Sequence, residues 1–187
     1  MQKISASSKH HPLHKRRRTV RLPMGTQRFL AAFEGIEGGF AVGTSIVVAL
    51  AIAGMDRHLL LTTAIVSVIV SGFNSSSVKY SSEHYLDELD GKEKKSAFKH
   101  YFIPSFVEFV CYFLISFLSV VPLLLIEPTS LAVIISVSVT LLLLFAAGYL
   151  RGFMLHMNGV RDGFEILLLG GGIISVGIIS GLIVNSL

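Results

Sequence analysis

Two carboxylates, Glu34 and Glu37, stand three residues apart at the head of a long apolar stretch, and a third, Glu108, is the one charged residue between Tyr101 and Ile126. On a helix, residues at i and i+3 share a face. At about 100° per residue the Glu34–Glu37 stripe continues through Gly38, Ala41, Thr44 and Ser45, a polar line that reads as the wall of a pathway. A carboxylate at the centre of a membrane helix costs about 2.5–3.5 kcal/mol on insertion scales, so such residues face a bundle interior or a wet cavity. There a carboxylate holds either a proton or a bound cation. Glu34, Glu37 and Glu108 are therefore the candidate metal ligands. Counted from Phe29 at 1.5 Å per residue, Glu34 and Glu37 lie about 8 and 12 Å along their helix, which leaves snorkelling to the interface as the alternative for Glu34. The alternative for Glu108 is an ion pair with Lys79 or Lys99.

Other residues offer weaker chemistry. His10, His11 and His14 lie in a polar arm without fixed geometry. Met154, His156 and Met157 combine thioethers with an imidazole, a set that suits transition metals, though ordinary packing explains them as well. The single cysteine, Cys111, excludes an intrachain disulfide. No nucleophile constellation, Walker loop, HExxH helix or dinucleotide glycine pattern occurs, and Gly170–Gly172 follows no strand. The expectation is that the chain is not an enzyme and carries no cofactor.

These residues must be positioned by membrane helices. Hydrophobic residues make up 52% of the 187 and charged ones 15%, against about 25% charged in soluble domains. The mean hydropathy is +0.69. The apolar residues fall in blocks long enough to cross the hydrocarbon core as helices, which excludes a β-barrel. The expected fold is an all-α membrane protein with five transmembrane helices at about 29–54, 58–82, 101–126, 129–151 and 163–186. Residues 1–28 read as a basic, disordered arm, and a cleaved signal peptide is not expected. Residues 83–99 read as a short charged loop holding a brief helix broken at Gly91.

Eight Lys and Arg residues precede the first span, Arg57 follows it, five lie from Lys79 to Lys99, and two more are Arg151 and Arg161. Fifteen on one side against one on the other place the N-terminus in the cytoplasm and the C-terminus outside or in a lumen. Lys15–Arg18, with Arg21 and Arg28, has the chemistry to neutralise phosphates. It reads instead as a topology signal that touches anionic headgroups at about 1 kcal/mol per basic residue, with no nucleic-acid partner.

Gly35, Gly39 and Gly43 recur every four residues beside the acids, and Gly177 and Gly181 repeat the spacing. Such a groove lets another backbone approach closely, and it is expected to form a homodimer contact. Hydroxyls and Asn74 share a face of the second span, at Ser67, Ser71, Ser77 and Ser81. Ser105, Glu108, Tyr112, Ser116 and Ser119 form a stripe on the third. The fourth, apolar up to Tyr149 and Arg151, reads as a lipid-facing scaffold with an interfacial anchor.

Glu34-Gly35-Ile36 through Phe40-Ala41-Val42, Phe117 to Pro122, Thr140 to Arg151 with Gly148, and Glu165 to Gly172 together resemble the vacuolar iron transporter family, from about residue 29 to the end. The resemblance implies a homodimer that moves divalent iron or manganese out of the cytoplasm in exchange for protons. Glu34 matches the family's functional aspartate. Two departures stand out. The second-span methionine and carboxylate of the family fall on Ser75 or Ser76 and on Lys79 or Tyr80, and a lysine repels a divalent cation unless it pairs with Glu34, Glu37 or Glu83. The cytoplasmic metal-collecting domain is reduced to residues 83–99. Two other functions therefore stay open: a transport-deficient scaffold or partner-binding subunit, and a transporter of a different small solute. A cell membrane is favoured over a vacuolar one.

Overall fold

The computed structural model describes residues 25–92 and 94–187. Expectations for the arm up to Met24, its disorder and its histidines included, lie outside the described residues. What is described is all-helical: α1 (Thr26–Ile52), α2 (Arg57–Leu89), α3 (Ile103–Leu125, led in by a π-helical turn at Phe98–Phe102), α4 (Thr129–Met154) and α5 (Gly159–Asn185). All five are long and apolar enough to cross a membrane.

Local sequence sets the ends of these helices. The Asp56 side chain accepts from the Leu59 amide at 3.3 Å and starts α2, and Asn158 accepts from the Arg161 amide at 3.3 Å and starts α5. Gly54 and Gly91 take φ of 73° and 64°, left-handed conformations that stop α1 and α2. Arg57, the basic residue on the sparsely charged side, donates to the carbonyls of Leu123 and Leu124. Its charge thus caps the C-terminal end of α3, where the helix dipole is negative. Pro122 lies within the last turn of α3 without ending it.

Two expectations need correction. Residues 83–89 do not form a separate loop helix: α2 continues unbroken from the span to Leu89 before Gly91 turns the chain. This stretch holds no helix breaker, and Glu83 is an i,i+4 partner of Lys79 at 3.2 Å. The glycines of α1 are not free to make a dimer seam, because α3 of the same chain fills their groove. A Cβ on Gly35 would collide with the Glu108 carbonyl, one on Gly39 would stand 2.6 Å from the Tyr112 carbonyl, and one on Gly43 would stand 3.1 Å from Ser116. Gly181 likewise presses on α1, where a Cβ would stand 2.6 Å from the Ala49 carbonyl. Lipid is as apolar as leucine, so close backbone packing of this kind holds membrane helices together, and here it makes α1 the central helix, in contact with the other four.

Hydroxyls tie the centre. Thr44, fully buried, donates to Ser119 at 2.8 Å and lies 2.6 Å from the Thr140 hydroxyl, while Ser136 donates to the Ser119 carbonyl at 2.8 Å. Farther from the N-terminal end, Val47, Leu60, Ala64, Val120, Leu123 and Ala132 close the core with apolar packing. The polar stripe of α1 therefore lines a cavity only as far as Ala41; Thr44 lies in a buried seam with α3 and α4, and Ser45 donates to the Ile173 carbonyl of α5.

Candidate functional site

Apart from Asp56, Arg57, His58 and Glu127 at the opposite end, the ionisable side chains of the described helices gather in the half of the bundle that holds the start of α1. Glu34 and Glu37, one turn apart, line a cavity of 240 Å³ with Gly38 and Ala41 of α1, Leu144 of α4, and Ile166, Leu169, Gly170 and Ile173 of α5. Tyr112 and Leu144 pack against the faces of Gly38 and Gly170 where a Cβ would stand, and leucine and isoleucine keep the space apolar. The two acids enter it from the only polar side.

Each acid is held by a base from another helix, and each base reaches a second acid. Lys79 of α2 donates to Glu34 Oε2 and also lies 3.2 Å from Glu83. Its side chain is 12% exposed, that of Glu34 49%. Arg151 of α4 donates through one nitrogen to both oxygens of Glu37, at 2.9 and 3.2 Å, and its Nε lies 3.9 Å from Asp162 of α5. Glu83 and Asp162 stand outside the cavity lining. Glu83 further accepts from the Gln27 amide at 2.6 Å. Asp162 is 5% exposed, at the point where Gly152 brings α4 close enough that a Cβ would sit 3.0 Å from its Oδ2.

Glu108 stands apart. It is 4% exposed, its Oε1 accepts from Ser75 at 2.7 Å, and its Oε2 has no hydrogen-bond partner among the described residues. Ser75 lies one turn before Lys79 on α2, so Glu108 shares the electrostatic neighbourhood of Lys79, Glu34 and Glu83. Ser76 bonds back to the Gly72 carbonyl at 3.0 Å and lines a separate cavity with Phe73, Tyr80 and Phe106. Of the sequence candidates, Glu34 and Glu37 are brought together, Lys79 joins them, Ser75 joins Glu108, and Ser76 stays out. Among the described residues, no three His, Cys, Asp or Glu side chains form a group that could hold a metal ion. The expected set Glu34, Glu37 and Glu108 is thus divided between the cavity and the α2–α3 contact, because Gly35 directs the α3 backbone between them.

Sequence reading missed Arg151 as a site residue, taking it for an interfacial anchor, and missed Asp162 altogether. The available signal was charge: Asp162 and Glu165 lie in the first two turns of α5, opposite the last turn of α4. Met154, His156 and Met157 surround the α4–α5 turn and join no ligand group.

Around Lys79 and Arg151 the acids Glu34, Glu37, Glu83, Glu108, Asp162 and Glu165 outnumber the bases. Such a field attracts cations and opposes anions. No curated protein matches the chain. The VIT family matches it over residues 80–182, more than half its length, leaving α1 and most of α2 outside the match. With five membrane helices and that match, the chain belongs to the VIT family, a family of membrane transporters for metal ions.

Proposed function

We propose that this VIT-family member carries a divalent cation, Fe²⁺ or Mn²⁺, out of the cytoplasm in exchange for protons, as a homodimer of the cell membrane. The observation that supports this reading is the pairing pattern of the cavity. Glu34 and Glu37 line one space, and each is neutralised by a base that has a second acid to retreat to. A divalent cation can take both cavity carboxylates while Lys79 stays on Glu83 and Arg151 on Asp162, so no charge is left uncompensated in a poorly solvated place. In the cation-free protein the two bases, or protons, supply the positive charge. Glu108 assists from outside the cavity.

The test is flux of Fe²⁺ or Mn²⁺ into proteoliposomes holding the purified protein. Glu34→Gln with Glu37→Gln abolishes flux while the helical content stays native; undiminished flux in that double variant overturns the proposal. Lys79→Met removes a competing positive charge and raises apparent Mn²⁺ affinity by about fivefold, the equivalent of roughly 1 kcal/mol for a partly exposed ion pair.

The pairing of Lys79 also favours a second reading, a membrane scaffold in which the lysine permanently occupies the former cation position. Lys79→Glu separates the two. A gain of Mn²⁺ binding where the native protein has none supports the scaffold, and tight binding by the native protein excludes it.

A further inference from the structure

A second polar cavity lies at the N-terminal end of the bundle and is opposite in charge to the first. It measures 300 Å³ and is lined by Gly25, Thr26, Gln27, Arg28, Lys99 and His100. Arg28 comes from the start of α1 and the other two basic residues from the π-helical turn that leads into α3. None of the three makes an ion pair or a side-chain hydrogen bond with a described residue. The neighbouring carboxylate, Glu83, is already matched by Lys79 at 3.2 Å and by the Gln27 amide at 2.6 Å. The first turn of α1 adds no acidic side chain.

A guanidinium and an ammonium beside an imidazole, without an ion-pair partner among the described residues, suit an anion, and the position says which. Both spans begin at these residues, so the cavity lies where hydrocarbon gives way to water. Phe98 and Phe102, stacked at 5.0 Å and 65% and 46% exposed, share the π-helical turn with Lys99 and His100 but lie outside the cavity lining, and Phe102 lines a separate cavity with Phe106 and Phe109. We infer that this cavity binds the phosphate of an anionic lipid headgroup, with Arg28 and Lys99 as its charged contacts. A guanidinium and an ammonium make charge-assisted bonds to phosphate oxygens that a zwitterionic headgroup, carrying its own cation, satisfies less well. The basic run Lys15–Arg18 and Arg21 precedes this site in the chain.

The experiment uses the full chain in a neutral detergent, titrated with dioctanoyl phosphatidylglycerol, dioctanoyl phosphatidylcholine or inorganic phosphate. Lipid binding is read by native mass spectrometry and by the thermal unfolding midpoint. Phosphatidylglycerol binds and raises the midpoint, phosphatidylcholine does so weakly, and inorganic phosphate alone does neither at the same concentration. Arg28→Gln with Lys99→Gln weakens phosphatidylglycerol binding by about twenty-five-fold, from roughly fivefold per basic residue at a membrane surface. Arg28→Lys with Lys99→Arg retains it, which separates lost charge from lost folding. Equal binding of both lipids, protection by inorganic phosphate alone, or unchanged phosphatidylglycerol binding in the glutamine variant each overturns the inference. Binding that falls steeply with added salt in the native protein supports it further.

Discussion

Arg151 is the residue on which the interior charge balance turns. It reaches α1 through Glu37 and α5 through Asp162, and its side chain is 20% exposed. Removing one partner of a buried ion pair leaves the other charge stranded, at about 3–5 kcal/mol when burial is complete. Arg151→Gln is therefore expected to destabilise the protein by about 3 kcal/mol, read as a lowered unfolding midpoint in detergent. Glu37→Gln combined with Arg151→Gln recovers part of that loss, because neither charge is then left alone. An additive double variant would mean that the pair is not coupled. Thr44 presents the neutral version of the same logic. Thr44→Val strands the hydroxyls of Ser119 and Thr140 and is expected to cost about 1–3 kcal/mol in the same assay.

At the scale of elements, the α1–α3 contact is the tightest joint in the bundle. Gly35 and Gly39 let the α3 backbone approach until carbonyl oxygens occupy the space of a side chain. Gly39→Val forces the helices apart and is expected to destabilise the monomer by about 1–3 kcal/mol, the usual effect of overpacking. Measured across a range of protein concentrations in detergent, that loss does not depend on concentration. A loss that appeared only on dilution would return these glycines to an intersubunit contact. The same joint carries Glu108 past α1 to Ser75 of α2, while Glu34 meets Lys79 of α2 and Glu37 meets Arg151 of α4. On α2, the unbroken extension to Leu89 holds Glu83 in line with Lys79 and gives the lysine its second acid.

For the whole molecule, an odd number of spans with basic residues heavily on one side predicts opposite faces for the two ends. With Cys111 replaced by serine, Ser186→Cys is expected to react with a membrane-impermeant maleimide on intact cells, and Ser8→Cys only after permeabilisation. The reverse pattern would invert the direction of transport proposed above. Both cavities fit this orientation. The acidic one opens beside the start of α1, and the basic one lies at the same end, where the headgroups of an anionic inner leaflet would meet it.

Length, hydropathy and the clustering of charge were enough to read five membrane helices, because a backbone in lipid must satisfy its own hydrogen bonds and an apolar run of sufficient length has little choice but a helix. Periodicity likewise placed Glu34 and Glu37 on one face, since that is a property of a single helix. Sequence could not tell which surface each helix turns toward which neighbour. The α1 glycine groove reads the same whether α3 or a second subunit fills it, and only the tertiary structure chose α3. Nor could it show that Lys79 bridges Glu34 and Glu83 or that Arg151 bridges Glu37 and Asp162, for these partners are up to 114 residues apart and meet through helix packing alone. Charges could be counted from the chain, but their pairing is decided by distance, and distance exists only once the helices are assembled.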